Sequence, residues 1–288
     1  MDMRITKLDR VDFPDQILEI PDVPASLYYV GAPIKKDALY LSVVGSRTHT
    51  SYGADACAKL IEGLRGSPII IVSGLALGID SVAHRSAIKA GLTTIAFPGS
   101  GLSEKVLYPA SNLSLAKEIL ASGGTLVSEF EPSFKATNWS FPRRNRLMAG
   151  ISHAVLVIEA SDKSGTLITA RLAIDYNRDL LVVPGPITSS TSIGANLLLK
   201  QGATPITRSE DILEAFGLQS ILSQEIKQNE LELLNAEENE IIELLIEPRA
   251  REDIFMILGK PAHEINITLS SLEIKGLIKE EYGEIRRV

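Results

Sequence analysis

The run Leu39-Tyr40-Leu41-Ser42-Val43-Val44-Gly45-Ser46-Arg47 decides the reading of this chain. Six apolar or β-forming residues without strict alternation describe a strand buried on both faces. Gly45 lets the backbone turn, and Ser46 and Arg47 stand where the next helix approaches. Helix-start N–H groups favour an anion and a guanidinium pairs with phosphate, so this turn is a candidate phosphate contact. Taken alone, Gly-Ser-Arg is a weak motif that fits an ordinary β–α turn with a solvated arginine better.

Working outward, the same unit recurs. Strands are predicted over residues 39–44, 69–72, 93–97, 154–158 and 180–183, with a short strand-like piece at 125–128. Helices are predicted over 51–64, 80–90, 112–121, 166–177 and 193–201. This alternation defines an α/β chain with a mostly parallel, doubly wound sheet. Ligands in such sheets bind beyond the carboxyl ends of the strands, so function is expected on the loops that follow them. Residues 1–38, with four prolines, read as an irregular lead-in holding at most short helical turns. The main domain is expected over 39–217, a Gln- and Glu-rich linker over 218–235, and a small unit over 236–288. Three helices and a terminal hairpin turning at Tyr282-Gly283 make that unit winged-helix-like.

The chain has 288 residues, 45% of them hydrophobic and 5% aromatic, which suits a large aliphatic core under helices. The single cysteine, Cys57, lies in an Ala-rich helical stretch and reads as a buried thiol, with no disulfide or Cys-rich metal site. Residues 1–10 mix charges without an apolar run, and no stretch is long and apolar enough to span a membrane, so a cytoplasmic protein is expected. The net charge of −7 speaks against nucleic acid at first. The excess lies wholly at the C-terminus: residues 218–288 hold 15 acids and 8 bases, leaving 21 of each in residues 1–217. A neutral main domain has room for a basic groove.

The remaining loops repeat the opening theme. Ser73-Gly74 begins a loop that runs through Gly78 to Asp80, with Asp80 as a helix cap and His84 one turn on as a packed histidine. Pro98-Gly99-Ser100-Gly101 ends the third strand. Phe141-Pro142-Arg143-Arg144-Asn145-Arg146, read as a loop, is the densest cationic cluster, with Lys135 upstream and Trp139 and Phe141 available for base stacking. Ser164-Gly165-Thr166 opens a helix as a further phosphate cradle, or as a plain cap. No nucleophile–base pair, metal cluster or Gly-Lys-Ser/Thr phosphate loop is visible, which favours binding over catalysis and implies neither metal nor cofactor.

Residues 43–203 resemble the DprA/Smf family of DNA-processing proteins. The resemblance is carried by VVGSR (43–47), SYG (51–53), VSGLALGID (72–80), Ala83-His84, Tyr108-Pro109 with Asn112, Ser128-Glu129, FPRRNR (141–146), SGTLITA (164–170), Pro184-Gly185, GAN (194–196) and Gly202-Ala203. It implies an extended Rossmann-like, non-enzymatic domain that binds single-stranded DNA, dimerises and loads a RecA-type recombinase in natural transformation. It also implies a DNA pocket lined by Ser46, Arg47, Ser73, Gly74, Arg144, Asn145, Arg146, Ser164, Gly165 and Thr166, with Lys135 outside the strongest motif. The chain departs from the pattern at Leu77, where a basic residue is usual, and leaves no room before residue 10 for the N-terminal helical domain of many members. The acidic C-terminal unit is expected to serve protein contact or regulation, since a duplex reader should be basic. Nucleotide phosphoribohydrolases of the LOG type are the alternative; where they need a catalytic Glu, Thr169 stands. A pure protein scaffold, its arginines spent on surface salt bridges, is a third possibility.

Overall fold

A computed structural model describes residues 4–218, 235–245, 247–275, 277–281 and 283–287. The chain divides into two units, residues 1–219 and 220–288. Apart from its end residues 218 and 235, the expected linker lies outside the described residues, as does Tyr282 of the expected turn.

The first unit is built on a nine-stranded sheet. In chain order its strands are β1 (Thr6–Asp9), β2 (Ser26–Gly31), β3 (Leu39–Val44), β4 (Ile69–Ser73), β5 (Thr94–Ala96), β6 (Thr125–Ser128), β7 (Ala154–Val157), β8 (Asp179–Val182) and β9 (Thr204–Pro205). Its helices are α1 (Asp15–Leu18), α2 (Ser51–Glu62), α3 (Ile79–Ala90), α4 (Leu113–Ala121), α5 (Ser140–Ile151), α6 (Thr166–Asp175), α7 (Ile193–Lys200) and α8 (Ser209–Ala215). The strand order is β1-β2-β6-β5-β4-β3-β7-β8-β9, with β3 to β9 all parallel. From β3 the chain steps outward through β4, β5 and β6, then returns through α5 to the other side of β3 and continues through β7 and β8. The β3/β7 boundary is therefore the topological switch point, where an open crevice is dictated by topology.

Burial on both faces explains the continuous apolar strands. Tyr40 and Val44 of β3 join Val72, Phe97, Val155 and Val182 in a core with Leu147 and Met148 of α5 and Ala170 and Ala173 of α6. Leu41 and Val43, also fully buried, take the opposite face, as strand geometry requires. Helices α2 and α3 pack closely through Cys57, Ala83 and Ala87, all without exposed surface.

Two segments differ from the sequence-based expectation. The lead-in is not irregular: β1 and β2 form an antiparallel margin, with Tyr29 opposite Val127 and Val30 opposite Leu126 of β6. Leu27 and Val30 are buried there, and that burial outweighs the nearby prolines. The Arg-rich cluster is not a loop but the first turns of α5, whose inner side carries Leu147, Met148 and Ile151 into the core. Strand β9 and helix α8 extend the domain past the last predicted helix, with Asp211 accepting the backbone N–H of Arg208 at the α8 start.

The second unit contains α9 (Ala236–Leu244), β10 (Arg249–Ala250), α10 (Arg251–Leu258), α11 (Ala262–Ile274), β11 (Ile278–Glu281) and β12 (Glu284–Arg287). An antiparallel sheet, β10-β12-β11, closes over a core including Ile241, Ile254, Leu269, Leu272 and Ile285. Three helices and a hairpin with a short third strand form a winged helix.

Candidate nucleic-acid interface

The crevice at the switch point is a cavity of about 440 Å³. Its walls come from the loop after β3 (Gly45, Ser46, Arg47), the start of α5 (Phe141, Arg144, Asn145) and the start of α6 (Ser164, Gly165, Thr166, Thr169). Segments 100 residues apart meet because all of them sit at the carboxyl edge of the parallel strands. Two long helices, α5 and α6, aim their N-termini at one space, and neither carries an acid in its first turn; at α6 the Ser164 hydroxyl accepts the Thr166 N–H at 3.2 Å. Each contributes a partial positive charge of roughly half a unit. Arg47 is exposed at the rim, with its guanidinium 5.1 Å from the Phe141 ring centroid.

The loops are held by close packing. A Cβ on Gly45 would fall on the side chain of Ile79, and one on Gly78 would fall on the carbonyls of Ser46 and Arg47. Gly78 also takes φ +80, so its lack of a side chain is required twice. The Ile79 N–H donates to the Ser46 carbonyl at 3.1 Å, fixing the near end of the β3 loop. Buried Leu75 takes φ +59, a strained value for a residue with a γ-branch, and is held by Asn112 Nδ2 donating to its carbonyl at 2.8 Å.

The predicted residues do not all reach the cavity. Ser46, Arg47, Arg144, Asn145, Ser164, Gly165 and Thr166 line it. Gly74 lines a smaller pocket that continues along the edge past Arg47 to Leu77, Tyr108 and Phe141. Ser73 is turned into the sheet, where its hydroxyl donates to the Val43 carbonyl at 2.7 Å. Lys135 is exposed on the segment between β6 and α5, outside the cavity lining. Arg146 faces away: its guanidinium pairs with Glu129, lies 3.3 Å from the Asp22 carboxylate and donates to the Asp22 carbonyl, fastening the lead-in to α5. Trp139 is 55% exposed and packs edge-on against Phe130 and Phe134.

Arg144 lines the cavity, yet its charge is used internally. It is 6% exposed and its Nη1 donates to the carbonyls of Gly74 and Phe97, tying the loops after β4 and β5 to α5. The Asp80 carboxylate lies across Gly74 from it and accepts the N–H groups of Gly74 (3.1 Å) and Ala76 (3.2 Å). Burial pushes the Asp80 carboxyl above the usual range, and the field of Arg144 opposes that shift. Burial lowers Arg144 itself to about 10. His84 donates or accepts at Thr94 Oγ1 (2.8 Å) and is lowered to about 3, first by burial and then by Arg144, so it is a neutral core residue at pH 7. Sequence reasoning missed Glu159, which lies two residues past the end of β7 and is 2% exposed. It accepts from the Thr50 N–H (3.0 Å) and hydroxyl (2.5 Å) and from the Thr191 hydroxyl (3.2 Å). A carboxylate directly after a buried strand was the available signal.

No group of three or more His, Cys, Asp or Glu suited to a metal occurs among the described residues, and no helix there is long and apolar enough to cross a membrane. The fold is that of a doubly wound α/β protein whose switch-point crevice gathers two helix N-termini and the Arg47 guanidinium. The family model for DNA recombination-mediator protein A matches residues 4–217, and the chain belongs to that family. It is 41% identical over 208 residues to protein Smf of Escherichia coli, covering 72% of this chain and 55% of that protein. It is 38% identical over 204 residues to DNA processing protein DprA of Streptococcus pneumoniae, covering 71% of each. The chain thus spans little more than half of the E. coli relative. Among solved structures, S. pneumoniae DprA aligns with a TM-score of 0.67 at 36% identity, over 73% of this chain and 74% of that one. DNA processing protein A of Helicobacter pylori, whose structure concerns its single-stranded DNA binding mode, aligns with a TM-score of 0.66 at 32% identity, over 75% of this chain and 96% of that one.

Proposed function

We propose that this chain is a single-stranded DNA-binding recombination mediator that acts without catalysis. It holds incoming strands and passes them to a RecA-type recombinase during natural transformation, as a cytoplasmic homodimer. The observation that carries the reading is the convergence of the α5 and α6 N-termini with Arg47 on one crevice. Phosphates track along the carboxyl edge of the sheet, neutralised by Arg47 and met by the Gly165 amide, the Ser164 and Thr166 hydroxyls and Asn145. Such contacts position a strand without reading its sequence. The single-stranded DNA binding of the H. pylori relative supports the choice of ligand.

Non-catalytic binding is favoured by the carboxylates. Among the residues lining the cavity the one carboxylate is Asp80, which is buried and committed to two backbone amides. The α6 position at which a phosphoribohydrolase needs an acid holds buried Thr169. For the winged helix we favour a protein-contact role. Three of its cations, Arg251, Lys260 and Lys275, are paired with Glu280, Glu240 and Glu238 at 2.5–2.6 Å.

Fluorescence anisotropy with a short oligo-dT over a salt series tests the reading. Affinity falls with a slope of about −0.7 per phosphate neutralised. Arg47→Ala reduces the slope by about 0.7 and weakens all sequences alike. Unchanged affinity and slope in that variant would remove the assignment.

A further inference from the structure

We infer that Glu159 is a positioning residue for the DNA crevice: it anchors the far end of the loop that carries Arg47. The inference rests on the single-stranded DNA reading for its functional consequence, and on geometry alone for the anchoring.

The loop from Gly45 to Thr50 leaves β3 and enters α2. Its near end is fixed by the Ile158 N–H donating to the Val44 carbonyl (3.0 Å) and the Ile79 N–H donating to the Ser46 carbonyl (3.1 Å). Its far end is fixed at Thr50. There the backbone N–H and the hydroxyl both donate to Glu159, while the same hydroxyl accepts the Gly53 N–H at 3.1 Å and caps α2. Arg47, Thr48 and His49, all exposed, lie between these two anchors, with the Thr48 N–H donating to Ser46 Oγ at 3.1 Å. The third bond to Glu159, from Thr191 Oγ1, reaches the segment after β8, so one carboxylate joins the loops after β3, β7 and β8.

Two further observations show that the fold is built around this side chain. Gly53 has no Cβ at the place where one would fall on the Glu159 carboxylate. Gly194, at the start of α7, would place a Cβ on the carbonyls of Ala160 and Ser161, the residues directly after Glu159. The carboxylate also sits at the N-terminus of the twelve-residue helix α2, supplying a negative charge where the helix favours one. That terminus is thereby closed to phosphate, while neither α5 nor α6 carries an acid in its first turn. Glu159 thus both fixes Arg47 and directs the anion to the other two helices.

The test compares Glu159→Ala, Glu159→Gln and Gly53→Ala in the full chain. The readouts are oligo-dT affinity across salt, hydrogen exchange of residues 46–51, and thermal midpoint. Glutamine can accept from the Thr50 N–H and donate to the two hydroxyls, which themselves accept. Glu159→Gln is therefore expected to bind within about twofold of the parent with protected amides. Glu159→Ala is expected to lose one charge-assisted phosphate contact, about tenfold in affinity, with the salt slope falling by about 0.7. Its 46–51 amides exchange faster, and in an Arg47→Ala background it adds no further loss. Gly53→Ala reproduces Glu159→Ala although alanine is the better helix former, and it carries the test should Glu159→Ala fail to fold. A lowered midpoint with unchanged affinity and exchange in the folded variants overturns the inference, as does a Gln variant as weak as the Ala one. If Arg47→Ala binds oligo-dT as well as the parent at every salt concentration, the DNA reading fails instead. Exchange at 46–51 then decides the anchoring by itself.

Discussion

Replacing Arg144 by Met removes a cation from the middle of the domain, and the structure sets the size of the effect. The guanidinium serves two carbonyls, of Gly74 and Phe97, and faces the buried carboxylate of Asp80 across Gly74. Methionine fills most of the volume but leaves Asp80 ionised without its counter-charge. Breaking such a buried arrangement costs about 3–5 kcal/mol. The cost depends on pH. The folded-state pKa of Asp80 already lies above its ordinary 3.8, because burial outweighs Arg144, and the variant raises it further. For an acid shifted upward the folded state binds the extra proton, so stability falls as pH rises from the unfolded value through the folded one. The Arg144→Met penalty is therefore largest near neutrality. In acid it shrinks toward the cost of the two unserved carbonyls alone. Urea unfolding of parent and variant at about pH 5 and about pH 8 measures this. Asp80→Asn, added to Arg144→Met, should recover part of the loss at the higher pH. A penalty equal at both pH values, or strictly additive with Asp80→Asn, would refute the coupling and return Arg144 to the role of a plain phosphate contact.

Two further outcomes follow from placement. Arg146→Ala leaves Glu129, whose side chain is 6% exposed and whose carboxyl burial pushes upward, with Arg143 as its remaining ion-pair partner. It should cost about 3 kcal/mol and loosen residues 10–38 in hydrogen exchange, with oligo-dT affinity little changed. Leu77 is 50% exposed on the pocket that continues the crevice, so Leu77→Lys should add a phosphate contact and steepen the oligo-dT salt slope by about 0.7.

The central strands were legible because a β-branched run buried on both faces has no competing interpretation in an alternating chain. The crevice was legible for the same reason, since parallel topology puts every strand-following loop on one edge. Helix α5 was hidden by its composition. Proline and three arginines dominate its first seven residues, and only Leu147, Met148 and Ile151 carry a helical apolar spacing. Counting charges also could not show that Arg144 and Arg146 have internal partners, because a sequence does not reveal which arginine meets a buried carbonyl or carboxylate. Strand β2 was obscured by the flanking prolines, although Leu27-Tyr28-Tyr29-Val30 has strand propensity. Glu159 escaped notice because its partners, Thr50 and Thr191, are distant in sequence and carry no charge to mark them.

The central claim is that the switch-point crevice holds the phosphates of a single strand. A crystal structure of the chain with a short oligo-dT tests it most directly. The account predicts phosphate oxygens within hydrogen-bonding distance of Arg47 and of the Gly165 amide, with the Arg146–Glu129 pair intact. A strand bound on the winged helix, with the crevice empty, would contradict it.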